Sequence, residues 1–331
     1  MPFGVSASAL ASRRTPRAQA ARSVLRVTAL VVLVLAITPA IAHAWTPGTH
    51  VFLGEAVMRS LSVLPVAVAE LLREFPYDFL YGSIAADTSI AKKYAPVGRH
   101  CHSWNVGLEI ADRANDEPLR AFALGYQAHL AADAVAHNYF VPKQLAVTAS
   151  TASLGHSYWE SRFETHLGDR CSRRARELIM LDHARSDDHL DRILSPTIFS
   201  TPTNRRIYRG MVHVADSETW QRIYALMTEN SRWDLTDDEV ERHLMRSFDF
   251  VIDWLRRGEG SEPYRLDPSG DEPLTTAKRV RRAALRRGGR TLVRDEADKR
   301  FGLPETALRF AANLPMPLFP PSRVTSPNGH A

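Results

Sequence analysis

Three side chains that commonly bind metal ions share one face of a predicted helix near the middle of the chain. Residues 126–141 read YQAHLAADAVAHNYFV and contain no glycine or proline, which favours an α-helix. His129, Asp133 and His137 are four residues apart, and each step of four turns only about 40° around a helix. Burying them among small apolar residues is costly without a partner, and a divalent metal suits imidazole and carboxylate. Two core histidines and a surface aspartate remain the alternative for this stretch alone.

A second pair downstream strengthens the prediction of a metal site. His156 and Glu160, in the segment GHSYWESRFE, repeat the four-residue spacing. One such pair is weak evidence, but two pairs in neighbouring predicted helices indicate ligands for metal ions.

Further candidate ligands lie upstream. His50 precedes an apolar, helix-like run, and Asp87 follows a small apolar stretch, where it could also cap a helix. His100 and His102 flank Cys101 in the loop segment RHCHSWN. Alternation along an extended backbone predicts that the two histidines face one side and that Cys101 points away.

The first 44 residues have the pattern of an export signal. Five arginines precede an apolar run at 27–37, which is too short to span a bilayer, and Ala42-His43-Ala44 forms a cleavage motif. We therefore expect a periplasmic or secreted protein beginning at Trp45, with an uncleaved anchor as the alternative. These five arginines account for the whole formal charge of +5, so the basic isoelectric point is no evidence for nucleic-acid binding.

Cleavage before Trp45 would create a possible metal ligand. The freed α-amine of Trp45 and the carbonyl of the same residue could chelate a metal, although a frayed terminus is the simpler interpretation.

The chain contains two cysteines, Cys101 and Cys171. This number excludes a disulfide framework but leaves one disulfide bridge between them possible.

The body of the chain is predicted to be all-α because helical periodicity recurs and no alternating β-branched run appears. We predict a helical domain over 45–257 and a linker with a basic, proline-containing tail over 258–331. Lys278 to Arg294 contains eight basic and no acidic residues. This run indicates either peripheral contact with anionic lipid or another acidic partner, or else a solvated helix face packed on the body or a flexible tail. Predicted helices cover 51–72, 106–114, 119–144, 153–185, 205–233 and 236–257, with Arg162, His183 and His189 expected at the surface.

The order and types of the candidate ligands resemble the zinc-dependent phospholipase C family, which shares an all-helical bundle and a three-zinc site with S1/P1-type nucleases. The resemblance runs from Trp45 to about Glu160, and later predicted helices continue it to about Arg257. It implies a first zinc held by Trp45, His50 and Asp133. It implies a second zinc held by Asp133, His129, Asp87 and a loop histidine, with His102 favoured and His100 left open. It implies a third zinc held by His137, His156 and Glu160.

One departure from the family lies between the aspartate and the next histidine. The family has two more residues there than the three that separate Asp133 and His137 in this chain. The shorter spacing keeps His137 on the helical stripe, although its zinc partners could differ.

The function that the resemblance implies is phosphodiester hydrolysis by zinc-activated water, with Asp87 and Asp133 as catalytic residues and a phospholipid as substrate. Two alternatives remain. One is an S1/P1-like 3′-nucleotidase or single-strand nuclease, for which the aromatic side chains of Trp104, Tyr139, Tyr158 and Trp159 could stack bases; no stable nucleic-acid complex is expected. The other is a metal-stabilised membrane-binding module without turnover.

Overall fold

The computed structural model describes residues 45–90, 92–148, 152–215, 217, 222, 231 and 233–314. These residues form helices and turns with no strand, so the prediction of an all-α fold is confirmed. The predicted signal peptide and the proline-rich end at 315–331 lie outside the described residues. No described helix combines the length and the apolar character needed to cross a membrane.

Twelve α-helices are labelled in chain order. The first six are α1 (Pro47–Arg59), α2 (Val66–Glu74), α3 (Pro76–Ala85), α4 (Trp104–Asp112), α5 (Glu117–Val135) and α6 (Val141–Val147). The others are α7 (Ala152–Leu167), α8 (Asp169–Ile179), α9 (Ala184–Ile193), α10 (Thr201–Ala215), α11 (Asp237–Arg257) and α12 (Asp271–Phe301). Between α5 and α6 the chain makes a π-helical turn, Ala136–Phe140.

Polar side chains define where the central helices begin. Asp116 accepts a hydrogen bond from the backbone N–H of Leu119 at 2.9 Å and starts α5, the helix of the predicted ligand stripe. Thr236 accepts from the N–H of Glu239 at 3.2 Å and starts α11, at the boundary that the sequence predicts. Each bond satisfies an amide that has no partner inside its own helix.

Three predicted helices are interrupted. The run at 51–72 forms two helices because Pro65 cannot continue a helix, and α2 begins directly after it. The run at 153–185 forms α7 and α8 because Gly168 has a φ of 77° and breaks the helix between them. The run at 119–144 contains the π turn, a feature that is frequent at functional sites.

Two glycines allow α3 and α5 to cross with their backbones in contact. A Cβ atom on Gly82 would lie 2.1 Å from the carbonyl oxygen of Phe122, and one on Gly125 would lie 2.0 Å from that of Phe79. Such distances exclude any larger residue at either position. The close crossing brings the end of α3, which leads into Asp87, against the ligand stripe of α5.

The segment after α11 packs against the body. Two short 3₁₀ turns, Gly258–Gly260 and Pro263–Arg265, lead to α12, and the indole N–H of Trp104 donates to the carbonyl of Leu266 at 3.0 Å. Gly289 interrupts α12 with a φ of 72°. The boundary at residue 257 stays a prediction, since these contacts do not define a domain.

Candidate metal centre

Four elements bring ligand-type side chains together in the interior. His50 lies on α1, Asp87 in the 3₁₀ turn after α3, His102 in the loop before α4, and His129 and Asp133 on α5. All five side chains are buried, and Asp133 is 0% exposed. With the neighbouring group of His137, His156 and Glu160, we call them the metal centre.

Asp133 is the point where the histidines meet. Its Oδ1 lies 3.1 Å from His50 Nε2. Its Oδ2 lies 3.0 Å from His102 Nε2 and 3.1 Å from His129 Nε2. His102 Nε2 and His129 Nε2 are themselves 2.9 Å apart. One carboxylate therefore faces three imidazole nitrogens, with one oxygen towards each side of the centre.

Asp87 approaches the same nitrogens from the end of α3. Its Oδ1 lies 3.3 Å from His102 Nε2 and 3.9 Å from His129 Nε2. Lys92 reaches the same oxygen, with Nζ at 2.8 Å, and also lies 3.2 Å from His102 Nε2. The sequence does not identify this lysine, because nothing in the local pattern shows that its side chain turns inward.

The third group forms beside the π turn. His137, the second residue of that turn, places Nε2 3.2 Å from His156 Nε2. His156 Nε2 lies 2.6 Å from Glu160 Oε1, as the four-residue spacing on α7 predicts. The imidazole rings of His102 and His137 are 6.2 Å apart, so this group adjoins the Asp133 group.

Backbone carbonyls orient two of the imidazoles. His129 Nδ1 lies 2.9 Å from the carbonyl oxygen of Ser83, and His137 Nδ1 lies 2.5 Å from that of Pro268. In each ring Nδ1–H donates to the carbonyl, which leaves the lone pair of Nε2 facing the centre. This is the arrangement of a histidine that binds metal through Nε2.

The two loop histidines have different positions. His102 is 1% exposed and contacts both aspartates, whereas His100 is only partly buried and accepts the backbone N–H of His102 on its Nδ1 at 3.1 Å. The geometry favours His102 as the ligand. Cys101 Sγ lies 3.3 Å from His102 Nδ1 rather than pointing away, because residues 100–103 form a turn and not an extended strand. Both cysteines are free.

Trp45 is anchored beside the ligand stripe. Its buried indole N–H donates to the carbonyl of Ala132 at 3.1 Å, one residue before Asp133, and its ring packs 4.1 Å from that of Phe163. The adjoining start of α1 is held by Glu164, which accepts hydrogen bonds from the Thr46 hydroxyl and from backbone amides. Glu164, a residue of α7, thus fixes the segment that leads to His50.

Burial controls the charge states in the centre. It lowers the pKa of His50 to about 4, with the charge of His129 adding to the effect, and lowers the pKa of His137 to about 3. Both imidazoles are therefore neutral at pH 7, the form that binds metal. Burial, together with the charges of Asp87 and Asp133, raises the pKa of Glu160 well above its usual range. Glu160 is therefore neutral unless a further cation binds beside it.

The donor set fits zinc. Among the described residues, ligand atoms in each of three groups lie within 4.8 Å of one another, namely His50 with Asp87 and His129, His102 with His129 and Asp133, and His137 with His156 and Glu160. His50 Nε2, both oxygens of Asp133 and Glu160 Oε1 are buried and lack geometrically acceptable hydrogen-bond partners despite their short contacts. Imidazole nitrogens and carboxylate oxygens that converge in this way are the donor types of a zinc site, and the Lys92 ammonium lies beside them.

Some predicted surface residues are buried instead. His183 stacks on Tyr81 with ring centroids 3.6 Å apart, and His189 Nε2 donates to the carbonyl of Ile110 at 2.9 Å. Arg162 is 8% exposed. The surface prediction was wrong for these three because a charged local sequence does not show which elements pack on it.

The comparisons with known proteins agree with this geometry. The family model described as zinc dependent phospholipase C matches residues 49–205, a range that includes every candidate ligand except Trp45. No curated protein and no solved structure gives a significant match. Residues 49–205 therefore match the zinc-dependent phospholipase C family, and this family implies a hydrolase that acts on phosphodiester bonds and a phospholipid substrate.

Proposed function

We propose that the chain is a phospholipase C that cleaves a phospholipid into diacylglycerol and a phosphorylated head group. The observation that carries the proposal is the convergence of three buried histidines on Asp133, whose oxygens lie 3.0–3.1 Å from their Nε2 atoms. A buried carboxylate in such a position is costly unless a cation accompanies it. The family match supplies zinc as that cation.

We assign three zinc positions to this centre. Asp133 Oδ1 and His50 would share one ion with the amine and carbonyl of Trp45. Asp133 Oδ2 would share a second with Asp87 and the imidazoles of His102 and His129. The remaining ligands, His137, His156 and Glu160, would hold the third.

Bound zinc would supply an activated water and neutralise charge on the phosphoryl oxygens. Asp133 would fix the separation of its two neighbouring positions through its paired oxygens. Asp87 would take up the proton of the attacking water on its carboxylate, which the close crossing of α3 and α5 holds beside His102 and His129. The Ser83 and Pro268 carbonyls would keep the rings of His129 and His137 in their orientation.

The aromatic residues give the nuclease alternative only partial support, because Tyr139 and Tyr158 are partly buried and the two tryptophans lie in the core. Trp104 is buried and stacks on Trp254 with ring centroids 4.4 Å apart, and Trp159 is 1% exposed. Both rings belong to the core, where they offer no open face to a base.

Export is part of the proposal. Cleavage after Ala44 would create the α-amine of Trp45, and the anchoring of the indole on Ala132 would hold that amine near Asp133. A protein processed in this way would act in the periplasm or outside the cell.

The decisive experiment measures zinc content and substrate preference on the chain that begins at Trp45. We expect about three zinc ions per chain and hydrolysis of phosphatidylcholine in preference to single-stranded nucleic acid. The matched control is the same chain with one alanine added before Trp45, which should lose zinc from the first position while keeping its fold. A protein without bound zinc would disprove the proposal, and preferential cleavage of nucleic acid would replace it with the nuclease.

A further inference from the structure

The C-terminal helix α12 folds back on itself. Arg300 lies 3.3 Å from Glu272, although a continuous helix would separate residues 28 positions apart by about 42 Å. Arg287 likewise contacts Glu296 at 3.4 Å. The reversal occurs at Gly289, whose φ of 72° and ψ of −155° are accessible mainly to glycine. Residues 271–301 therefore form an antiparallel hairpin, which we call the basic hairpin.

The positive charge of this hairpin faces solvent near its tip. Eight basic residues and no acidic residue lie between positions 278 and 294. Arg281 turns inward and donates to the carbonyls of Ala146 and Val147 at the end of α6. The remaining arginines of the run have exposed side chains, namely Arg279, Arg282, Arg286, Arg287, Arg290 and Arg294.

An apolar side chain lies within this charged surface. Leu285 is 40% exposed, three residues after Arg282 and next to Arg286. The inner face of the hairpin is apolar and buried, as Ala277, Ala284 and Val293 show. Ala277, Ala297 and Phe301 hold the hairpin to the core of the body. Arginines with one leucine face outward, a combination that suits the interface of a bilayer.

The base of the hairpin joins the metal centre. Gly270 directly precedes α12, and a Cβ atom on it would lie 2.4 Å from His137 Cβ. Pro268, two residues earlier, accepts the hydrogen bond of His137 Nδ1. Any surface on which the hairpin docks is thus connected through a few residues to the ligands of the third group.

We infer that the basic hairpin is a docking surface for anionic phospholipid, which brings the metal centre to a membrane. The choice of partner rests on the proposed phospholipid substrate and on charge complementarity, because clustered arginines attract an anionic leaflet. A hydrolase of membrane lipids must also stay at the surface that holds its substrate.

The test measures binding of the full mature chain to vesicles of phosphatidylcholine with and without about 30% phosphatidylglycerol. The variant removes four exposed charges of the hairpin, and the control removes four exposed charges elsewhere, so that both have the same net charge. The hairpin variant combines Arg282→Gln, Arg286→Gln, Arg287→Gln and Arg290→Gln. The control combines Arg73→Gln, Arg120→Gln, Arg170→Gln and Arg173→Gln, all at exposed positions.

We expect the parent and the control to bind the anionic vesicles at least about tenfold more tightly than the neutral ones, and the hairpin variant to lose this preference. Equal binding by all three proteins would overturn the inference. Binding of single-stranded nucleic acid without vesicle binding, lost in the hairpin variant, would also overturn it and identify a different partner.

A second measurement separates this inference from the proposed function. Hydrolysis of a short-chain, monomeric phosphatidylcholine needs no membrane, so the hairpin variant should cleave it at the rate of the parent. Vesicle binding without any lipid hydrolysis would refute the proposed function and leave the docking surface standing. A slower rate on the monomeric substrate would show that the hairpin acts on the metal centre and not as a docking surface.

Discussion

The metal centre and the basic hairpin both concentrate titratable side chains, but the first buries them and the second leaves them in solvent. The side chains of His129 and Asp133 are 0% exposed, and each polar atom faces another. The side chains of Arg282, Arg286 and Arg290 are exposed. Buried groups require partners at fixed positions, whereas exposed charges act mainly through their sum. Single substitutions should therefore have large effects in the centre and small effects in the hairpin.

The largest test of this contrast is Asp133→Asn. The amide keeps the shape of the side chain but removes the charge shared by three imidazoles. Changes in residues that only support a ligand weaken metal binding 10–100-fold, so we expect a loss of at least about a hundredfold in zinc affinity. Zinc content after dialysis and phosphatidylcholine turnover should fall together.

The matched change in the hairpin is Arg286→Gln, which also removes one charge. We expect it to leave zinc content unchanged and to alter the free energy of unfolding by less than about 0.5 kcal/mol. Full zinc retention and full turnover in Asp133→Asn would contradict the expectation that single substitutions in the metal centre have large effects.

A second prediction concerns residues that bind no metal themselves but hold a candidate ligand in position. A Cβ atom on Gly48 would lie 2.6 Å from the carboxyl carbon of Glu164, which caps the start of α1. Gly48→Ala should therefore lower the free energy of unfolding by about 2.5 kcal/mol, measured by denaturant titration. It should also weaken zinc binding, because α1 carries His50.

The control for Gly48→Ala is the same change in a Glu164→Ala background. With the carboxylate absent, the added methyl group has room, and the coupling between the two changes should be at least about 1 kcal/mol. Additive effects would show that the carboxylate does not hold this turn.

The sequence predicts most of the ligand set because helical spacing is a local property. His129 with Asp133 and His156 with Glu160 each lie four residues apart on one helix, so no knowledge of the fold is needed to pair them. The resemblance to the zinc-dependent phospholipase C family then assigns the candidate ligands to three zinc positions. His102 was favoured over His100 on a short motif, and its burial beside both aspartates agrees.

The sequence does not predict the contacts between residues that lie far apart in the chain. The carbonyl of Pro268 orients His137 from 131 positions away, within a segment whose composition is that of a linker. Lys92 enters the centre from a charged loop. His183 and His189 lie in a charged stretch, yet Tyr81 and the carbonyl of Ile110 cover them. In each case the partner belongs to another element, and only packing decides the contact.

A third prediction concerns the effect of pH on stability through one buried histidine. His243 on α11 donates from Nδ1 to the carbonyl of Glu239 at 2.6 Å, and its Nε2 has no hydrogen-bond partner. Burial lowers the pKa of His243 from 6.5 to about 3. Between these values the unfolded chain binds the proton and the folded chain does not, so stability is lost as the pH falls below 6.5.

The cost of this one histidine at pH 5 should be about 2 kcal/mol relative to pH 7. His243→Phe should remove that part of the pH dependence, as measured by denaturant unfolding of the zinc-free protein at both pH values. An identical loss of stability in the variant and the parent would show that His243 is accessible to protons in the folded state.

The smallest predicted effect concerns the cation already present in the centre. Lys92 Nζ lies 2.8 Å from Asp87 Oδ1 and 3.2 Å from His102 Nε2, so it donates to the same lone pairs that zinc requires. Lys92→Met keeps the length of the side chain and removes this competitor. We expect zinc affinity, measured by chelator competition, to rise about tenfold, which corresponds to about 1.4 kcal/mol.

Lys143→Met is the matched control, because Lys143 pairs with Asp298 at 2.7 Å outside the metal centre. Its zinc affinity should equal that of the parent. Unchanged or weaker zinc binding in Lys92→Met would show that the lysine supports the loaded centre and does not compete with the metal. Unchanged binding would place this partly buried lysine with the hairpin arginines, whose single charges have small effects, and burial would then not account for the difference between the two regions.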